Sequence, residues 1–381
     1  MSSAARDVDL EAVRREFPIL EAKVYLNSCS LGALSRRAEA RLGEFLALWH
    51  GMGASAWYEH WLARIEELRG KVASFWNADA SETALLPSTS AALSVVSESV
   101  PAGSRNRIVC TELDFPTLPY QWRVKPGVEI VMLPSHDGVG VEPQQFADAV
   151  DARTLFVATS HVFFATGFVQ DVAALAGIAH DAGAYCLIDG YQALGQIPVD
   201  VPASGVDFYT AGPLKWLCGG PGLAYLYVRR DLIEALRPRI TSWFAAENQF
   251  AFDAGHFTYR RDARRFELGT PALAAVHTAL GGQEILDEVG IEAVAARNRA
   301  LTQRLIDGVR AAGFSLRPAP AQARSAIVTI RHEDPAGAVR RLAEGGIIVD
   351  HRPGHVRVSP HFYNTEEDVD RLVAELAGRA P

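Results

Sequence analysis

"VDFYTAGPLKWLCGGPGLAYLYVR" (residues 206–229) reads as a strand, a glycine-rich turn and a second strand, with a single lysine in the turn. Lys215 is flanked by Leu214 and Trp216, and Leu217 and Cys218 follow, so its ammonium has little but backbone for polar company. Desolvating an ammonium is costly, and a lysine in such a setting is deprotonated, paired or covalently used. Both strands are apolar throughout. The same texture recurs in "RIVCTEL" (107–113), "EIVMLP" (129–134), "TLFVATS" (154–160) and "AYCLIDG" (184–190), with helical stretches such as "DVAALAGIAHDAGA" (171–184) between several of them. Strands apolar on both faces, alternating with helices, predict an α/β fold with a mostly parallel sheet covered by helices.

The chain has 381 residues, about right for two domains. After a charged arm, residues 36–76 read as two amphipathic helices. From about 282 the texture changes to a long helical run (291–312), then "SAIVTIR" (325–331), "AGAVRRLAEGG" (336–346), "IIVDHRPGHVRVS" (347–359) and a final helix (365–378). The expected division is an N-terminal arm (1–35) at the mouth of the site, a large domain (36–281) and a smaller α+β domain (282–381). Formal charge is 37 − 45 = −8 with no basic cluster, which argues against nucleic acid or an anionic membrane as partner. No apolar run is long enough to span a bilayer, and the first residues lack the apolar core of a signal peptide. Cys29, Cys110, Cys186 and Cys218 are scattered without metal spacing, which fits free thiols and a cytoplasmic location. "GMGASA" (51–56) has the form of a dinucleotide fingerprint but follows a helical stretch rather than a strand. No Walker loop, nucleophile elbow or HExxH zinc motif is present.

Twenty-six residues before Lys215, "AYCLIDG" ends on Asp189. Ligands of parallel sheets bind at strand C-termini. A carboxylate there, with a lysine after a later strand, points to a site for pyridoxal phosphate. The carboxylate would keep the pyridine nitrogen protonated, and the lysine would form a Schiff base. Gln192, three residues on, is placed to hydrogen-bond the phenolic oxygen. Alone, Asp189 reads as a cap. The phosphate needs a helix N-terminus and hydroxyls, which "LLPSTSAALSVV" (85–96) supplies. Ser88, Thr89 and Ser90 alone read as an N-cap cluster.

With these segments in hand, "YLNSCSLGAL" (25–34), "PSTSAAL" (87–93), "ELDFPTLPY" (112–120), "IDGYQALGQIPVDV" (188–201), "LKWLCGGPG" (214–222), "FELGTPAL" (266–273) and "RVSPHFYNTEEDVDRL" (357–372) together resemble the class V aminotransferase-fold enzymes. That group includes cysteine desulfurases, isopenicillin N epimerase and kynureninase. The resemblance implies fold type I with pyridoxal 5'-phosphate as cofactor and Lys215 as the Schiff-base lysine. By the same resemblance Asp189 partners the pyridine nitrogen, Ser88 and Thr89 hold the phosphate, and Phe115 stacks on the ring. Gln192 matches the desulfurase "DGAQ" pattern. Thr270 implies a homodimer with shared active sites, since its counterpart reaches the phosphate of the partner subunit. Arg357 matches the arginine that binds a substrate carboxylate, and Asn27 is a further substrate-binding candidate. The family's histidine or tyrosine before the lysine is Leu214 here, and the serine often found three before it is Gly212. Phosphate contacts are therefore expected from Thr210 or from backbone.

The cofactor activates every bond at Cα, so it does not name the reaction. A cysteine desulfurase needs a nucleophilic cysteine on a loop of the C-terminal half, and no cysteine follows Cys218. "FPT", the lysine turn and the "DHRPGHVRVSPHFYN" segment lean towards kynureninase, but its "GWWGH"-like stretch reads "TSWFAAEN" (241–248). Trp243, Phe244 and the pair Phe163–Phe164 are expected to wall the pocket. The expected reaction is lyase cleavage, within a free α-amino acid, of a C–C or C–S bond of the side chain. Transamination, or epimerisation or decarboxylation at Cα, is the alternative. A catalytically dead binding protein is the reading that retention of Lys215, Asp189 and Arg357 opposes.

Overall fold

The computed structural model describes residues 9–378, so the first eight residues of the expected arm lie outside the described residues. Seven strands form the central sheet: β2 (Thr83–Leu86), β3 (Arg107–Thr111), β4 (Glu129–Leu133), β5 (Thr154–Ser160), β6 (Tyr185–Asp189), β7 (Phe208–Ala211) and β8 (Ala224–Val228), in the order β2-β8-β7-β6-β5-β3-β4. All pairings are parallel except those of β8, which runs antiparallel to both β2 and β7. The exception has a simple cause. A parallel neighbour needs a crossover, usually a helix, whereas β7 and β8 are joined only by the lysine turn, so the backbone must return antiparallel. Six strands thus end at one edge, and the turn that carries Lys215 lies at that edge too.

Alternate residues of each strand bury against different helical layers, as the period of two requires. Ile188 and Tyr209 join the core that includes Val72, Leu175 and Leu280, while Leu187 and Phe208 join the one that includes Val96, Leu118 and Trp122. No helix among the described residues is long and apolar enough to cross a membrane.

The smaller unit has an antiparallel sheet of β9 (Val328–Arg331), β11 (Asp350–Arg352) and β12 (His355–Val358), ordered β11-β12-β9, under helices Ile291–Ala311, Pro335–Glu344 and Glu366–Leu376. The N-terminal segment belongs to it structurally. There β1 (Val24–Tyr25) pairs in parallel with β10 (Ile347–Ile348), and Val24 and Leu26 lie in the core of the smaller unit with Leu305, Val328 and Val356. The expected boundary, 281/282, lies within helix Leu273–Val289, which ends at Gly290 with a φ of 81°. Gly281 and Gly282 instead let the helix pack closely: a Cβ on Gly281 would lie 2.5 Å from Ala38 Cα.

A buried ion pair fixes β2. Arg69, from helix Leu62–Phe75, donates to the carbonyl of Thr83 (3.0 Å) and pairs with Glu267, whose carboxylate also takes the amide of Leu85 (2.8 Å). Arg69 and Glu267 are both almost fully buried. Removing one partner strands the other charge away from water. Arg69→Met should therefore lower stability by about 3–5 kcal/mol in urea unfolding, and Arg69→Met with Glu267→Leu by less. A single variant as stable as the parent would contradict this.

Candidate active site

At the carboxyl edge of the sheet lies a cavity of about 410 Å³, within the usual size of small-molecule sites. Asp189 enters it as the last residue of β6, Ser160 as the last of β5, and Phe115 from the loop after β3. Ser88 and Thr89 come from the start of helix Thr89–Ser99, Lys215 from the turn after β7, Cys29 and Ser30 from the N-terminal segment, and Arg352 and Arg357 from the smaller unit. Of the residues expected from sequence, Lys215, Asp189, Gln192, Ser88, Thr89, Phe115 and Arg357 are brought together here.

Lys215 is half-buried in the cavity wall. Burial pulls its amine down to about 8; Cys29 and Asp189 oppose that, while Arg357 and Arg352 add to it. The face of Tyr191 lies 4.9 Å from Nζ. Gly212 makes room for that ring: a Cβ there would come within 2.4 Å of Tyr191 Cε2. Gly32 likewise seats the N-terminal segment on the turn, since its amide donates to the carbonyl of Leu214 (2.9 Å) and a Cβ would collide with the carbonyl of Lys215.

Burial pushes the Asp189 carboxyl up to about 6, against the Tyr191 amide and Lys215 and with help from Asp114. Its Oδ1 accepts the Tyr191 amide at 2.9 Å, and no other donor among the described residues reaches it. It is a carboxylate held where a cationic N–H would suit it. Behind it His161, pushed down to about 4 by burial, is neutral and shares a 2.8 Å hydrogen bond with the Tyr209 hydroxyl.

Thr89 stands in the first turn of an eleven-residue helix. Its hydroxyl is buried without a partner among the described residues, and Ser88 Oγ caps the amide of Ala91 (3.1 Å). An orphaned hydroxyl beside free helix amides is a place for an anion. With the Lys215 amine, the Asp189 carboxylate and the exposed Phe115 ring around one cavity, these residues fit pyridoxal phosphate.

Arg357 is buried. Its Nη1 donates to the carbonyl of Phe164 (2.8 Å), and its Nη2 to Ser30 Oγ and Asp350 Oδ2 (2.7 Å each). Nε has no partner. A two-donor edge opens to a carboxylate only if Ser30 yields its place.

The remaining expected residues lie elsewhere or are engaged by protein atoms. Thr210 does not reach the cavity: it lies within β7, and its hydroxyl is spent on the carbonyl of Tyr225 in β8 (3.0 Å). Gln192 lines the cavity, but its Nε2 donates to the carbonyl of Cys29 (2.8 Å) and its Oε1 accepts from Trp216 Nε1 (2.9 Å), so it braces the N-terminal segment against the lysine turn. Asn27 is not in the cavity wall; its backbone bridges to Ser359. Trp243 and Thr270 are exposed and away from this cavity, Trp243 packing with Phe244, Phe250 and Phe252. The Phe163–Phe164 pair is split: Phe164 meets Phe115 edge-on at 5.2 Å in the cavity, and Phe163 is buried against Phe168.

Sequence reasoning missed Tyr191, Arg352 and Asp350. The signal for the last two was a hairpin: Pro353-Gly354 folds Asp350 opposite Arg357.

The model of the family described as aminotransferase class V matches residues 24–372. The chain is 32% identical to the uncharacterized aminotransferase YcbU of Bacillus subtilis (strain 168) over 369 residues, covering 97% of this chain and 98% of that protein. It is 29% identical to a kynureninase of Geobacillus thermodenitrificans (strain NG80-2) over 385 residues, 96% of this chain and 90% of that one. A cystine C–S lyase solved in complex with its product cysteine persulfide has the same fold, with a TM-score of 0.88 at 21% identity over 96% of this chain and all (100%) of that one. The chain belongs to the class V aminotransferase family, a family of enzymes.

The cavity gives the lysine a testable signature. Its amine gains a neutral, nucleophilic form as pH rises through about 8 rather than through the ordinary 10.5. In cofactor-free protein, reductive methylation of Lys215, followed by peptide mass spectrometry, should reach half its maximal rate near that pH and fall about tenfold per unit below it. A midpoint at the ordinary lysine value would contradict the burial argument.

Proposed function

We propose that this class V aminotransferase-family enzyme uses pyridoxal 5'-phosphate to cleave a C–C or C–S bond in the side chain of a free α-amino acid. The observation that carries the reading is the convergence, on one cavity, of a lysine amine whose proton affinity burial lowers, an aspartate with an unmatched oxygen and an arginine from the other unit. When bound, the cofactor supplies an electron sink for negative charge at the substrate Cα. Asp189 holds the proton on the pyridine nitrogen that keeps the sink effective. Ser88, Thr89 and the first amides of helix Thr89–Ser99 hold the phosphate, doing what Leu214 and Gly212 cannot, and Phe115 covers the ring. Lys215 Nζ takes the proton from Cα and can return one, a task for a base near neutrality. Arg357 binds the α-carboxylate through Nε and the Nη2 position that Ser30 vacates.

Cleavage beyond Cα is supported by the full-length similarity to a protein named kynureninase. Persulfide chemistry on a C-terminal loop is disfavoured because no cysteine follows Cys218 and all four cysteines are buried. Transamination is the second reading, favoured by the 32%-identical relative's name. The proposal includes a homodimer with shared sites. Trp243 is exposed and packs with the exposed Phe250 and Phe252, an apolar patch suited to a second copy, and Thr270, also exposed, follows Gly269, which lies against Trp243. Incubation of purified enzyme with a panel of amino acids, read by mass spectrometry, should give a shortened product and a released side-chain fragment. An intact 2-oxo acid would overturn the lyase reading, and an active monomer in light scattering would remove the dimer.

A further inference from the structure

We infer that the substrate carries one carboxylate and an uncharged side chain, and that Asp350 enforces this choice; the inference rests on the proposed assignment of Lys215 and Asp189 to the cofactor. Among the described residues, the charged side chains lining the cavity are Lys215, Asp189, Arg352 and Arg357. With the first two assigned, two guanidiniums remain. Both meet the same atom, Asp350 Oδ2, Arg352 at 2.8 Å and Arg357 at 2.7 Å.

The hairpin builds this cluster. Asp350 stands opposite Arg357 in the β11–β12 register, and Arg352 stands opposite His355. Ser30 Oγ donates to the same Oδ2 (3.1 Å), and the amide of His351 donates to Oδ1 (2.7 Å). Burial works against the charge of Asp350, but the His351 amide and the two guanidiniums outweigh it and hold the carboxyl below its usual range. Asp350 is therefore ionised wherever the enzyme is folded and near neutral pH.

Two positive charges and one negative leave one to be matched, which is one carboxylate. A second carboxylate on the side chain would find no unmatched cation. A cationic side chain would find Asp350 already shared and a guanidinium on either side of it. What the cavity offers instead is apolar: Phe115 against Phe164, with Val162 and Leu214 in the wall. Arg352 lies 5.6 Å from the centre of the Phe164 ring and roofs that wall with a flat, weakly hydrated face. Arg357 is 1% exposed and Arg352 29%, so the α-carboxylate belongs to the inner arginine and the outer one borders the side chain. Discrimination here works by an unpaired charge raised against the wrong substrate.

The test is an absorbance titration of purified holoenzyme with alanine, phenylalanine, aspartate, glutamate and lysine, alongside turnover. The parent should half-saturate with the neutral amino acids at concentrations at least about tenfold lower than with the charged ones. Asp350→Asn leaves two unmatched positive charges and should improve aspartate and glutamate relative to alanine by about tenfold. Asp350→Asn with Arg352→Gln restores a single unmatched charge and should return the ratio towards the parent's, a rescue that damage to the fold would not produce. An unchanged ratio in Asp350→Asn, or a parent that binds dicarboxylates as well as alanine, overturns the role of Asp350. Protein with no cofactor spectrum, or with no response to any amino acid, overturns the proposed function along with it.

Discussion

The ammonium of Lys215 sits where water solvates it poorly, and much of the surrounding structure serves to hold it there. The turn that carries it is closed on one side by β7 and β8, on another by the N-terminal segment seated through Gly32, and on a third by the ring of Tyr191 in the space that Gly212 leaves open. A surface lysine would need no such enclosure. Here the enclosure lowers the proton affinity of the amine to about 8 while leaving its nitrogen open to one cavity. The same low polarity raises Asp189 to about 6, so base and carboxylate are tuned by one environment in the directions burial dictates.

The two structural units divide the work. The sheet edge of the larger one supplies the lysine, the aspartate and the helix N-terminus. The smaller one supplies the arginines and their shared aspartate. The N-terminal segment links them: Gln192 holds the carbonyl of Cys29, and Ser30 reaches both Asp350 and Arg357. A shift of one unit relative to the other would therefore move the two arginines with respect to the lysine, and the contacts of Ser30 with Asp350 and Arg357 would change with it.

Much of this was legible in the sequence because it is local. Strands buried on both faces announce themselves as apolar runs, and every run read as a strand from 107 to 229 forms one. Asp189 and Ser88 were placed by their position at the ends of strands and helices. Thr210 was misjudged because a strand end does not say which hydroxyls the neighbouring strand will consume. Gln192 was expected to meet the ligand, and spacing could not show that its amide also joins two segments distant in the sequence. Trp243 was placed by resemblance as a pocket wall and Thr270 as a residue reaching the phosphate of a partner subunit; neither lines this chain's own cavity. Arg352 and Asp350 went unread because their meaning depends on hairpin register: only when Pro353-Gly354 folds back does Asp350 fall beside Arg357.

On the proposed function, the Lys215 amine is the group that holds the cofactor. The protein has four lysines, at 23, 71, 125 and 215. Purified protein treated with borohydride, digested and mapped by mass spectrometry should carry a reduced phosphopyridoxyl group on the peptide containing Lys215 and on no other. An adduct on one of the other three lysines, or none on protein that retains the absorbance of the cofactor, would contradict the account.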